Sequence, residues 1–126
     1  LLSLDQAADT VFTALKEARP GETYVPRAPS ATVANIAQAM IGSKRVKTKV
    51  VGIRPGEKMH EIMVSEEEAH HCVARGEYFA ILPMLPELRK DAKPEKNALD
   101  GEFSSADTVL DLSSTKKLLK KHRLLP

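Results

Sequence analysis

Leu4, Ala7, Ala8, Val11, Phe12 and Leu15 recur at the spacing of one helical face. Ser3 with Gln6 is a capping-box pattern at the start of that helix, and Pro20-Gly21 ends it. The apolar positions are predicted to face the core. Thr23-Tyr24-Val25 is a short β-prone run, stopped by Pro26 and Pro29. Ser30 is placed as the N-cap of a second helix, whose stripe is Val33, Ile36, Ala37, Met40 and Ile41. Gly42 is its natural stop. From Val46 to Ile53 the chain alternates, with Lys47 and Lys49 on one side and Val46, Thr48 and Val50 on the other. That period predicts a strand.

Met59 to Val64 reads as short helix or coil. Ser65 with Glu68 is a second capping box, predicting a helix over 66–75 with Ala69, Cys72 and Val73 inward and Gly76 as its end. Tyr78 to Leu82 predicts another strand. Pro83, Pro86, Pro94 and the charged run Glu87 to Lys93 mark residues 83–101 as a loop. Ser113 is placed as the cap of a last helix with Leu118 and Leu119 inside. It carries a basic run, Lys116, Lys117, Lys120, Lys121 and Arg123, of the kind that complements a helix C-terminus. The expected class is α/β, with short strands and about four helices. A core over 1–82, a loop over 83–101 and a segment with a helix over 102–126 form one domain. So few short strands make a poor sheet alone, which suggests strands meant to join a larger one.

Composition narrows the class. At 126 residues, 42% hydrophobic and 29% charged, the chain reads as globular rather than disordered. Aromatic residues are 4% with no Trp, so the core must be largely aliphatic. No stretch approaches the roughly 20 apolar residues of a membrane span. Leu1 to Gln6 has neither the basic nor the long apolar region of a signal peptide. The chain opens without Met and reads as one entered partway. The lone Cys72 excludes an internal disulfide framework and a Cys-rich zinc site, and points to the cytoplasm. A net charge of +2 is a small field that disfavours nucleic acid as a partner.

The strongest candidate for chemistry is Gly52-Ile53-Arg54-Pro55-Gly56-Glu57-Lys58-Met59-His60-Glu61. A strand would deliver Arg54 to a sheet end, where ligands of open α/β folds collect. Arg grips phosphate oxygens in a bidentate manner. A carboxylate accepts from a ribose diol. Arg54 and Glu57 on one tight turn could hold the two halves of a nucleoside diphosphate. The plainer reading, a charged surface turn with an Arg–Glu or Lys–Glu pair, is the commoner one on chemistry alone. The segment is not a P-loop, because Glu57 separates Gly56 from Lys58 and Met59 stands where Ser or Thr is needed.

His60, His70, His71 and His122 have no ligand set around them, so no metal is expected; position 64, where a zinc helix needs its second His, is Val. Cys72 reads as a small hydrophobe. There is no G-x-G-x-x-G, and neither Tyr has Lys four residues on. The chain therefore carries no cofactor site and no catalytic group of its own.

Four stretches, in order, resemble one family: Leu4-Asp5-Gln6-Ala7, Gly21 to Ser30, Gly52 to Glu61, and Met63 to Ala69. It is the family of polysaccharide-biosynthesis nucleotide-sugar 4,6-dehydratases and epimerases that act on UDP-N-acetylglucosamine, which are extended short-chain dehydrogenases/reductases. The Ile-Arg-Pro-Gly-Glu-Lys-x-His-Glu string is the specific part. Phe103-Ser104-Ser105-Ala106-Asp107 continues the likeness, with Asp107 where the family usually has Asn.

The resemblance implies a small C-terminal lobe whose partner, a Rossmann domain holding NAD(P), is absent from this chain. It implies Arg54 on the diphosphate, Glu57 on the ribose, Lys58 beside them, and Pro26 and Arg27 by the uridine. The ligand would be a UDP-sugar. The chain alone would be inactive and could form a homo-oligomer through the surface the missing domain should cover. The competing reading is a small basic, non-enzymatic module whose Lys116–Arg123 face meets nucleic acid or an acidic partner.

Overall fold

The most deeply buried side chains cluster where short strands meet. The computed structural model describes residues 1–89 and 94–125. Its elements in chain order are α1 (Leu4–Glu17), β1 (Thr23–Pro26), β2 (Ser30–Ala31), α2 (Val33–Ile41), β3 (Ile62–Val64), α3 (Glu66–Ala69), β4 (Cys72–Arg75), β5 (Tyr78–Ile81), β6 (Phe103–Ser104), β7 (Val109–Leu110) and α4 (Leu112–Lys121), with a 3₁₀ turn over Pro86–Arg89. This is the expected α/β class, with four α-helices and short strands. The chain forms two units. A sheet unit comprises Leu2–Ala28 and Ile62–Ser104, and a helix-pair unit comprises Leu1, Pro29–Glu61 and Ser105–Pro126.

In the sheet unit the strand order is β1-β5-β4, all antiparallel, with β3 and β6 forming a separate pair. β4 and β5 join through a hairpin loop in which Gly76 takes φ +57°, a backbone state glycine adopts without strain. Pro26 ends β1, an edge strand, where its missing N–H leaves no ladder bond unmade. Val25, Val64, Ala69, Cys72, Phe79, Ile81 and Phe103 make the core. Burial raises the Cys72 thiol pKa. Arg75 ties this unit's rim by bonding Glu95 and Glu22, and Arg19 adds a further bond to Glu95 at 3.1 Å.

In the helix-pair unit α2 packs on α4, and β2 runs parallel to β7 in the register Ser30↔Val109. Asp111 caps α4 by accepting from the Ser114 N–H at 2.7 Å. The Asn35 side chain donates to the Leu110 carbonyl at 3.2 Å.

Several sequence expectations need correction. Val46 to Ile53 is not a strand: no described residue pairs with it, and Val50 is 95% exposed. Alternation alone does not make a strand without a ladder partner. The helix expected over 66–75 stops at Ala69, because Cys72–Arg75 pairs with Tyr78–Ile81 instead. Thr32, not Ser30, caps α2; the Ser30 hydroxyl donates to the Ser105 and Thr108 carbonyls. Asp111, not Ser113, caps α4. The apolar face of α1 does not point inward: Leu4 is 90% exposed and Leu15 79%. Within the expected loop, Ala98 N–H donates to the Cys72 carbonyl at 2.8 Å and Asn97 bridges Val73. Its charged run includes residues 90–93, which lie outside the described residues. No helix among the described residues is long and apolar enough to cross a membrane.

Candidate functional site

The long segment from Gly42 to Ile62 is exposed throughout. Its most ordered feature is the turn at residues 54–57. The Glu57 N–H donates to the Arg54 carbonyl at 3.0 Å. Pro55 presets the first central φ, and Gly56 at φ +87° supplies the second, the signature of a type II turn. The Glu57 carboxylate then folds back and accepts the Arg54 N–H at 2.9 Å through Oε2. The turn thus closes on itself twice.

That closure has a chemical result. Because Glu57 bonds the Arg54 backbone, it makes no ion pair with the Arg54 guanidinium. Among the described residues that guanidinium has no hydrogen-bond or ion-pair partner. Glu57 Oε1 is likewise without a partner. Lys58 lies 4.0 Å from Glu61 in a solvent-exposed pair, an interaction of little strength. Arg54, Glu57, Lys58 and His60 line one open concavity of about 1020 Å³ in the helix-pair unit. Ser105 borders it and clamps the far end of the segment. Its hydroxyl accepts the Glu61 N–H at 3.0 Å, and its own N–H donates to the Glu61 carbonyl at 2.8 Å.

Pro26 and Arg27 lie in the other unit. Arg27 N–H donates to the Glu77 carbonyl at 3.2 Å, and its guanidinium sits 4.2 Å from the Phe79 ring centre, a cation–π contact. The structure therefore gathers Arg54, Glu57 and Lys58 round one cavity of the helix-pair unit, and holds Pro26 and Arg27 in the sheet unit. Reading motifs singly gave Ser30 only as a helix cap and Ser105 no role in the wall. Their only signal was the aromatic-Ser stretch at Phe103-Ser104-Ser105, because the pairing that places them spans some 75 residues of chain. Among the described residues no group of His, Cys, Asp and Glu is placed to hold a metal.

The turn makes a local prediction. Gly56→Ala puts a Cβ into a left-handed state and is expected to loosen the turn by about 1 kcal/mol. Faster amide exchange at Glu57, with unchanged exchange in β4 and β5, is the expected reading; unchanged Glu57 exchange would refute it.

A family model described as "Polysaccharide biosynthesis protein" matches residues 1–83. The chain belongs to that family. Among curated proteins, it is 31% identical over 126 residues to a UDP-N-acetylglucosamine 4,6-dehydratase (inverting) of Campylobacter jejuni serotype O:23/36, covering 94% of the chain and 37% of the relative. It is 34% identical over 128 residues to a UDP-glucose 4-epimerase of Rickettsia canadensis, again covering 94% and 37%. The chain thus spans little more than a third of the length of these relatives. A crystal structure of Pen from Bacillus thuringiensis superposes with a TM-score of 0.82 at 25% identity, covering 98% of this chain and 38% of that one. The resemblance drawn from the sequence motifs is borne out at the level of a nucleotide-sugar dehydratase and epimerase family.

Proposed function

We propose that this chain is the UDP-sugar-binding part of a cytoplasmic, NAD(P)-dependent nucleotide-sugar 4,6-dehydratase or epimerase of surface polysaccharide synthesis. Arg54 takes the diphosphate, Glu57 Oε1 takes the ribose hydroxyls, and Lys58 adds a second cation. The observation that carries this reading is the self-closed turn. It leaves a guanidinium without a partner among the described residues, on a residue that lines a large concavity. A structural arginine would be spent on a carboxylate, as Arg75 is. Pro26 and Arg27 belong to the other unit and carry no part of this proposal.

The reaction itself is assigned to a Rossmann domain holding the NAD(P), as the resemblance implies. The relatives' extra length supports this, since the chain covers 37% of the Campylobacter jejuni protein. So does α1, where Leu4, Val11, Phe12 and Leu15 leave an apolar stripe exposed. A domain packed there would remove that stripe from water.

Calorimetric titration of the chain with UDP tests the binding turn. Arg54→Ala, an exposed change, is expected to weaken UDP by about tenfold or more, the size of a lost charge-assisted hydrogen bond. Equal affinity in the two proteins, or no binding by the unaltered chain at millimolar UDP, would overturn the proposal.

A further inference from the structure

The helix-pair unit holds a second concavity, about 270 Å³, at the C-terminal end of α2 where α4 passes. Met40, Ile41 and Leu125 line it with apolar side chains, and Lys44, Lys116 and Lys120 line it as well. Among the described residues no carboxylate side chain lines it. None of the three lysines makes an ion pair with a described residue. Lys116 and Lys120 stand one turn apart on α4, so they face the same way and repel each other.

Helix polarity explains part of this charge. Lys120 and Lys121 sit in the last turn of α4 and complement its carbonyl end. It does not explain Lys116, which lies mid-helix and is half-buried. Nor does it explain why three lysines and these apolar side chains line the same concavity. The α2 carbonyl end would by itself repel an anion, so the lysines set the sign of this site.

We propose that this concavity is a second anion site, one that takes a phosphate monoester bearing a small apolar group. A phosphate carries nearly two charges and several acceptor oxygens, which match three lysine donors. The ester's hydrocarbon would lie on Met40, Ile41 and Leu125. The volume is below the usual range for a drug-sized ligand, so the group must be small. A soluble organic phosphate and a phosphate lipid headgroup present the same chemistry.

The test is an NMR titration of the full chain with hexyl phosphate. Amides of Met40 to Lys44 and of Lys116 to Lys120 are expected to shift together, and a K116Q/K120Q double variant is expected to weaken binding about tenfold or more. Lys44→Gln, outside the helices, provides a second variant should the pair disturb α4. Arg54→Ala is expected to leave the affinity reported by the Met40–Lys44 and Lys116–Lys120 amides unchanged, which separates this site from the UDP proposal. Inorganic phosphate is expected to bind more weakly than the ester. The proposal is overturned by shifts confined to other residues, by equal affinity in the lysine variants, by loss of the Met40–Lys44 and Lys116–Lys120 shifts in Arg54→Ala, or by inorganic phosphate matching the ester at those amides. Given ester binding, recruitment to vesicles of phosphatidylcholine with phosphatidic acid assigns the source to lipid, and its absence assigns it to a soluble ester.

Discussion

Arg75→Ala is expected to cost about 3 kcal/mol of folding free energy. The Arg75 side chain is only 20% exposed, and that of its partner Glu22 is 1% exposed. Glu95 receives both guanidinium ends, one of them at 2.8 Å. Removing the arginine leaves a buried carboxylate without its counter-ion, and that uncompensated charge is the main loss. Urea denaturation measures it. A double variant, Arg75→Ala with Glu22→Ala, is expected to recover part of the loss, because the stranded charge goes too. A single-variant cost under about 0.5 kcal/mol would mean that the network behaves as a surface pair.

The same network sets an acid dependence. Hydrogen bonding from Arg75 holds the Glu95 carboxyl below its ordinary value of 4.5. A depressed folded pKa means that the stabilisation is fully present above that ordinary value. It fades as pH falls from there through the folded pKa, since the unfolded chain takes up the proton more readily. Unfolding curves between pH 6 and pH 3 should therefore lose part of their acid slope in Arg75→Ala.

Phe103→Ala is the second large effect, at about 3–5 kcal/mol. The chain has three Phe and no Trp, so few side chains can fill a gap of that size. Phe103 is 9% exposed and meets Phe79 edge to face, with ring centres 5.1 Å apart. It also pairs β6 with Val64 of β3. Phe79 carries Arg27 as well, 4.2 Å from its ring centre, so the cavity left by Phe103 should loosen Arg27. Thermal unfolding gives the stability, and broadening of the Arg27 side-chain NMR signal gives the coupling. Phe103→Leu, which keeps most of the volume, should cost clearly less; equal losses in the two variants would argue against the packing account.

Local chemistry was legible in the sequence, and distant pairing was not. Both capping boxes, Ser3 with Gln6 and Ser65 with Glu68, form as read, because their bonds span three residues. The strands Thr23–Pro26 and Tyr78–Ile81 were visible as the β-prone run Thr23-Tyr24-Val25 and the expected strand from Tyr78 to Leu82. Cys72–Arg75 was misassigned to a helix, because an apolar run that short fits either state and only its pairing with β5 decides. Val46 to Ile53 failed the other way, having the strand period and no partner. Ser30 looked like a cap until β7, far along the chain, claimed its neighbourhood. The site divides likewise. The turn from Arg54 to Glu57 is written in four adjacent residues. The concavity that gives it meaning is framed by Ser105, which no local pattern could bring there.

Both units are built from stretches that synthesis separates. The sheet unit takes Leu2–Ala28 and then waits for Ile62–Ser104, while the helix-pair unit begins at Pro29 and closes only with Ser105 onward. On a ribosome, therefore, neither can finish early. Val64, Cys72 and Phe79 are made before Phe103, and α2 is made long before α4. Most of the chain must be extruded with apolar side chains uncovered, a state in which chains associate wrongly. By the same connectivity, a protease cutting once, wherever it cuts, cannot release either unit free of residues of the other.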